Sequence, residues 1–139
     1  MAIGWGLLAP LAAHGSVILL EMEDQPGHHS TGRSAALYTP NYGPDTVRKI
    51  CQTAYAFFSD PPPGFADHPL LSPRGALSIS VDDPDGTVDK LLKSAGPGHP
   101  IEEVTMERAR ELCPALRPGV FRRALYEPGV MDMDPAATH

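Results

Sequence analysis

Charged residues are missing from the first twenty positions, because no Asp, Glu, Lys or Arg precedes Glu21. Basic residues are scarce throughout: 11 Lys and Arg stand against 17 Asp and Glu, giving a formal charge of −6, and no run of Lys and Arg is longer than two residues. Binding to nucleic acid depends on basic side chains that neutralise phosphates. We therefore expect no nucleic-acid partner.

Cysteine is also rare, since Cys51 and Cys113 are the only two. Two widely separated cysteines form neither a disulfide framework nor a metal-ligand pattern, so we expect buried, reduced thiols. The adjacent His28 and His29 have no matching ligands nearby, and neighbouring side chains point in different directions on most backbones. We therefore expect no metal.

The uncharged start has a second interpretation, because twenty residues just span a bilayer. Pro10, His14, Ser16 and the absence of a basic flank argue against a membrane span or a leader. We expect a cytoplasmic protein without a membrane partner. Its 16 Pro and 13 Gly indicate many loops.

The most informative segment begins at Val17–Leu20, four consecutive apolar residues that predict a strand buried on both faces of a parallel sheet. Glu21 follows at the position where a doubly wound nucleotide-binding fold places the carboxylate that binds an adenosine ribose. The next loop, Ser30–Ala36, is rich in small and hydroxylated residues and contains Arg33. Such a loop suits phosphate or a flavin ring, although Arg33 could instead pair with an acid, and the hydroxyls could cap a helix.

Two segments, Leu19–Gly43 and Ala56–Arg74, resemble the FAD-binding amino-terminal part of the D-amino acid oxidase and glycine oxidase superfamily. The similarity is greatest to the bacterial D-arginine dehydrogenase group. The resemblance implies FAD as cofactor and an amino acid as substrate. Such an enzyme takes a hydride from the α-carbon, and water hydrolyses the imino acid to a keto acid and ammonia.

The resemblance also implies site residues. Tyr42 matches a tyrosine that approaches the substrate, and the resemblance assigns no residue of the chain a catalytic role. The residues implied to contact FAD are Gly4, Glu21, Met22, Ser30, Thr31, Gly32, Arg33, Ser34, Ala35, Ala36 and Leu37.

Two departures from the D-arginine group concern specificity. Leu37 stands where that group has a histidine, and Ala76 stands where it has the carboxylate that holds a cationic side chain. A guanidinium facing Ala76 lacks its charge-assisted partner. We therefore expect a neutral or different amino acid rather than D-arginine.

The expected fold class is α/β: a partial, Rossmann-like FAD-binding domain without its first strand, followed by a strand-rich extension. Gly4 matches the third glycine of the dinucleotide fingerprint, and the first two are missing. Pro10 lies in the expected first helix, so this segment is a misassigned start, a frameshifted end or a degenerate copy. We treat residues 1–139 as one incomplete domain that lacks carboxy-terminal substrate and flavin segments and is inactive alone. The alternative is a non-catalytic remnant or interaction module that binds no flavin.

Periodicity and capping residues predict the remaining elements. Asp45 and Thr105 are predicted helix caps, as is Asp134 before Pro135. The predicted elements are a helix over 45–59, a strand over 76–81, a turn over 82–86, helices over 87–94 and from 105 to 113–114, and a strand over 124–127.

Overall fold

A computed structural model describes residues 11–18, 20–25, 27–30 and 32–138. The chain divides into two compact units. The larger unit is Leu37–Met133, and the smaller unit combines Met1–Ala36 with Asp134–His139.

Two three-stranded sheets form the framework of the larger unit, and each strand pair is antiparallel. The first sheet has the order β1 (Leu37–Tyr38), β6 (Met131–Met133), β2 (Leu71–Pro73). The second has the order β3 (Ala76–Ser80), β5 (Arg123–Glu127), β4 (Glu102–Val104). Pro73 is tolerated because β2 lies at the edge of its sheet, where an N–H is dispensable.

Three helices connect these strands: α1 (Asp45–Ser59), α2 (Thr87–Ser94) and α3 (Met106–Leu112). The predicted bounds of α1 and α2 are confirmed. The predicted cap of α1 is wrong, because Pro44 occupies the N-cap position and Asp45 is the first helical residue. The Asp45 carboxylate instead pairs with Arg48 one turn later, and as an acid in the first turn it also favours the helix dipole.

The predicted cap of α3 is confirmed, since the Thr105 Oγ1 accepts a hydrogen bond of 3.1 Å from the Arg108 N–H. In the predicted turn over 82–86, the Asp83 carboxylate accepts bonds from the first two N–H groups of α2. Asp134 accepts bonds from the N–H groups of Ala136 and Ala137, as a cap does, but the residues after it form a turn rather than a helix.

The core of the larger unit is built around β5. Consecutive strand residues point to opposite faces, and Ala124 and Leu125 are accordingly buried in two different apolar clusters. Leu125 packs with Val88 of α2 and with Ile101, while Ala124 packs with Ala109 of α3 and with Phe121. Strand β5 therefore has a buried side chain on each face, although its sheet has only three strands.

In the smaller unit, the strand predicted over Val17–Leu20 is wrong: residues 17, 18 and 20 lie in no strand. Ile18 is 82% exposed and Leu20 is 87% exposed. A strand buried on both faces needs neighbouring strands and covering helices, and the described residues of the smaller unit contain no strand and are helical only at positions 11 and 12. The mixed α/β class is confirmed, whereas the pairings described are all antiparallel and belong to the larger unit.

No helix within the described ranges is both long and apolar enough to cross a membrane. Cys51 and Cys113 are unpaired and half-buried. Among the described residues, no three His, Cys, Asp or Glu side chains are grouped so that they could hold a metal ion.

Candidate functional site

The loop that follows Glu21 closes on itself through two glycines. The Gly32 N–H donates a hydrogen bond of 2.7 Å to the Gly27 carbonyl oxygen. A Cβ atom at position 32 would collide with that same carbonyl oxygen, and Gly27 has a positive φ of 74°. The close approach of the two backbone segments therefore requires glycine at position 32, and the turn brings backbone groups near the surface where a ligand can reach them.

The Glu21 side chain accepts hydrogen bonds from the first backbone N–H groups of the turn that follows it. Its Oε1 accepts hydrogen bonds from the N–H groups of Met22, at 2.8 Å, and Glu23, at 3.2 Å. The N–H of Glu23, followed by that of Met22, holds the pKa of the Glu21 carboxyl below its usual range. The exposed carboxylate is therefore ionised at neutral pH, and because both bonds use Oε1, Oε2 remains an acceptor for a ligand hydroxyl.

The two histidines diverge, as predicted. Their rings stand at 87° to each other with centroids 5.1 Å apart. The His29 Nε2 contacts the Glu23 carboxylate at 2.7 Å, whereas the His28 Nε2 lies 3.5 Å from Arg33 Nη2. The pair therefore does not present two nitrogens to one metal ion.

Arg33 lies on an open pocket of about 610 Å³. The described contact of its guanidinium is with a neighbouring ring, because Nη2 lies 3.5 Å from the His28 Nε2. The volume falls in the range of cofactor pockets, which is about 300–1,000 Å³. The pocket is lined by Gln25, Gly27, His28, Gly32, Arg33, Pro135 and Ala136. An exposed arginine beside glycine backbone suits an anionic group such as a phosphate.

The predicted FAD residues are only partly brought together. Gly32 and Arg33 line the pocket, while Ala36 is half-buried in the same unit. Gly4 and Thr31 lie outside the described residues. The remaining predicted residues of this unit are exposed and do not line the pocket: Glu21, Met22, Ser30, Ser34 and Ala35.

Sequence reasoning missed most of the pocket lining. Gln25 and Gly27 precede the predicted loop by a few residues. The sequence predicted a cap at Asp134 before Pro135, but it did not predict that this segment lies near the loop. Pro135 and Ala136 reach the pocket from the end of the chain. This contact joins distant sequence positions, and no local pattern signals it.

The residues implied to act near the substrate lie in the larger unit. Leu37 begins β1, opposite Asp132 of β6, and is 42% exposed. Tyr42 is 68% exposed. Ala76 begins β3 and lies opposite Glu127 of β5.

A comparison with protein families gives the context of this loop and pocket. The family model for FAD dependent oxidoreductases matches residues 2–139, almost the whole chain. The matched range includes both the Glu21 loop and Tyr42. The chain therefore belongs to the family of FAD dependent oxidoreductases.

Proposed function

We propose that this chain takes part in the FAD-dependent oxidative deamination of an amino acid. The amino acid loses a hydride from its α-carbon and a proton from its amine, and water then hydrolyses the imino acid to a keto acid and ammonia. Bound FAD supplies the acceptor for the hydride. The observation that carries the proposal is the loop with an ionised Glu21 and with Arg33 on the pocket, in a chain of this family.

The proposed roles follow from charge and donor type. The Glu21 carboxylate accepts hydrogen bonds from ribose hydroxyls through Oε2, and Arg33 binds the pyrophosphate at the pocket. The hydroxyls of Ser30, Thr31 and Ser34 are proposed as further donors. Ser30 and Ser34 are exposed, so their hydroxyls are available to a ligand.

The proposed substrate is a neutral amino acid. Ala76 offers no charge to a cationic side chain, and the carboxylate across the strand pair belongs to Glu127. That carboxylate accepts a hydrogen bond of 3.1 Å from the Asn41 side chain. Because the Glu127 carboxylate already accepts from Asn41, it supports the proposal that the site near Ala76 does not select a guanidinium. Tyr42 is proposed to contact the substrate.

We further propose that the chain needs a covering polypeptide surface for turnover and is inactive alone. Ile18, Leu20 and Met22 are each more than four-fifths exposed. Apolar side chains exposed at successive alternate positions of one segment favour a surface that binds a partner. These residues lie on either side of Glu21, so a polypeptide that covers them would also hold the loop that is proposed to bind FAD in one conformation.

The test is the visible absorption spectrum of the purified, desalted chain after incubation with excess FAD, together with the quantity of bound flavin. A stoichiometric flavin band in the wild type, strongly reduced in Arg33→Ala, supports the proposal. Arg122→Ala is the matched control, because it removes one exposed cation from the larger unit. A colourless wild type that does not quench FAD fluorescence contradicts the proposal.

One observation favours a second candidate, a remnant or interaction module without flavin. The strand expected before Glu21 is not formed at residues 17, 18 and 20. In the nucleotide-binding fold that strand holds the carboxylate against the ribose. The same spectrum separates the candidates, since the remnant retains no flavin at any FAD concentration that saturates a related flavoprotein.

A further inference from the structure

Tyr42 lies in a turn over residues 39–43 that is buried on one side and exposed to solvent on the other. The Tyr42 N–H donates a hydrogen bond of 3.3 Å to the Thr39 carbonyl, and Gly43, at φ 74°, ends the turn. Pro40 and Asn41 are buried, whereas Tyr42 is 68% exposed. The contacts that hold this turn therefore determine the position of the Tyr42 ring.

Asn41 provides the strongest polar anchor. Its Nδ2 donates to the His99 carbonyl oxygen at 3.1 Å and to the Glu127 Oε2 at 3.1 Å. Because both partners are acceptors, the amide nitrogen rather than the amide oxygen must face them. Asn41 is only 5% exposed, so these bonds are shielded from water. The bonds connect the turn to the α2–β4 loop and to the end of β5.

A second, weaker anchor supports the same turn. The Gln52 Nε2, on α1, donates to the Pro40 carbonyl oxygen at 3.3 Å. The hydrogen bonds of both anchors go to backbone carbonyls and to Glu127, so both anchors act on the Tyr42 side chain through the backbone of residues 39–43.

We propose that Asn41 is a positioning residue: through its hydrogen bonds to Glu127 and His99 it holds the 39–43 turn and thereby sets the position of Tyr42 for substrate. The substrate contact of Tyr42 rests on the proposed function. The anchoring itself depends only on the larger unit.

The chemistry of the contact explains why an amide is needed. Two donors on one nitrogen satisfy two acceptors that would otherwise repel any oxygen placed between them. Asp at position 41 would set a carboxylate against a carbonyl and a second carboxylate. Ala would leave the Glu127 carboxylate without its donor, a loss that is larger for a charged acceptor than for a neutral one.

Hydrogen exchange of the full chain tests the anchoring. In Asn41→Ala, the amide of Tyr42, which donates to the Thr39 carbonyl, is expected to exchange about tenfold faster or more, since a hydrogen bond to a charged acceptor that holds the turn is lost. Exchange in β3 and α2 is expected to stay unchanged. Thr53→Ala is the matched control, because the Thr53 hydroxyl donates to the Lys49 carbonyl one helical turn away, within α1 itself.

Substitutions of Glu127 provide a rescue test. Glu127→Gln keeps an oxygen that accepts from Asn41, so the turn amides should exchange as in the wild type. Glu127→Ala removes one of the two bonds of Asn41 and leaves the bond to His99, so the turn amides should exchange faster than in the wild type but more slowly than in Asn41→Ala. The double variant Asn41→Ala/Glu127→Ala should be no faster at the turn than Asn41→Ala, because Asn41→Ala already removes the bond to Glu127.

A spectroscopic readout reports on Tyr42 itself. In the chain labelled with 3-fluorotyrosine, the four tyrosines give separate ¹⁹F lines, and Tyr42→Phe assigns one of them. In Asn41→Ala, the Tyr42 line should move towards its unfolded position while the Tyr126 line stays in place. An unchanged Tyr42 line, or exchange that rises equally in β3 and the turn, overturns the proposal.

The failure of the proposed function is distinguishable from the failure of this inference. A wild type without bound flavin contradicts the proposed function, and the exchange and ¹⁹F experiments decide the anchoring of Tyr42 in either case. Asn41→Ala is expected to bind FAD with unchanged affinity, because Asn41 is proposed to act on Tyr42 alone. A parallel loss of flavin affinity overturns that assignment.

Discussion

The Arg123 guanidinium binds both carboxylate oxygens of Glu103, with Nε 2.7 Å from Oε1 and Nη2 2.9 Å from Oε2. The same Nη2 donates to Asp89 of α2 at 2.8 Å. One side chain on β5 therefore joins β4 to α2, on the face of the sheet where α2 packs. Paired donors in the planar fork of arginine suit this geometry, and the ammonium of lysine cannot reproduce it.

We expect Arg123→Lys to lower the thermal unfolding midpoint, because lysine can satisfy at most part of this network. The matched control is Arg122→Lys, since Arg122 is 82% exposed at its side chain and its contact with Asp82 is 3.7 Å. Exposed pairs of that kind contribute little to stability. Thermal unfolding followed by circular dichroism makes the comparison, and equal midpoints in the two variants would contradict the role of the network.

The same ion pair makes stability depend on pH. The hydrogen bond from Arg123 holds the pKa of Glu103 below its ordinary value of 4.5. Because the pKa is lower in the folded state, the stabilisation is fully present above the unfolded pKa and is lost as the pH falls through the folded pKa. Glu103→Gln should therefore show a shallower fall in the free energy of unfolding between about pH 5 and pH 3.

Urea unfolding at several pH values measures this slope. Glu102→Gln is the control, because Glu102 is exposed on the same strand and forms no ion pair with any residue that the structure describes. Identical acid slopes for the wild type and Glu103→Gln would show that the pair does not contribute.

Gly75, between β2 and β3, is predicted to tolerate no side chain. Its φ is 76°, and a Cβ there would lie 2.7 Å from Cε2 and 2.8 Å from Cζ of Tyr126. We expect Gly75→Ala to lose about 1–2 kcal/mol through left-handed backbone and a further loss of about 1–3 kcal/mol through overpacking.

Gly98→Ala separates these two effects, because Gly98 has a similar φ of 79° with nothing within 4 Å of its Cβ position. Urea unfolding should show the larger loss at position 75. Equal losses would mean that the Tyr126 ring moves aside without a penalty.

The sequence predicted the elements whose causes are local. The amphipathic spacing over Asp45–Ser59 and the turn before Thr87–Ser94 are sufficient to define two helices, and the Thr105 hydroxyl is a typical cap. The strands β1, β2, β4 and β6 have two or three residues each. Such strands are too short to show alternation, so only their pairing partners reveal them.

The strand predicted at Val17–Leu20 failed for a related reason. An apolar, β-branched run favours a strand, but a strand also needs a neighbour that accepts its backbone hydrogen bonds. The candidate site follows the same rule. Glu21 and Arg33 were visible from local pattern, whereas the contribution of Pro135 and the link between Asn41 and Glu127 join distant positions.

The proposed ribose contact depends on the Glu21 carboxylate. Glu21→Gln keeps an oxygen that can accept from the Met22 and Glu23 N–H groups, so the turn should survive. It removes the negative charge offered to ribose hydroxyls, and FAD should bind about tenfold more weakly, as loss of a charge-assisted bond predicts. Because the pKa of Glu21 is lowered by those N–H groups, the wild-type affinity should persist down to about pH 5.

Quenching of FAD fluorescence, titrated at neutral pH and near pH 5, measures both effects. Asp24→Asn is the matched control, since it removes one exposed negative charge from the same loop without changing the cap of the turn. If Asp24→Asn weakens binding as much as Glu21→Gln does, the loss reflects the overall charge of the loop. Only a loss confined to Glu21→Gln assigns the ribose contact to Glu21, because the two variants differ in position and not in charge.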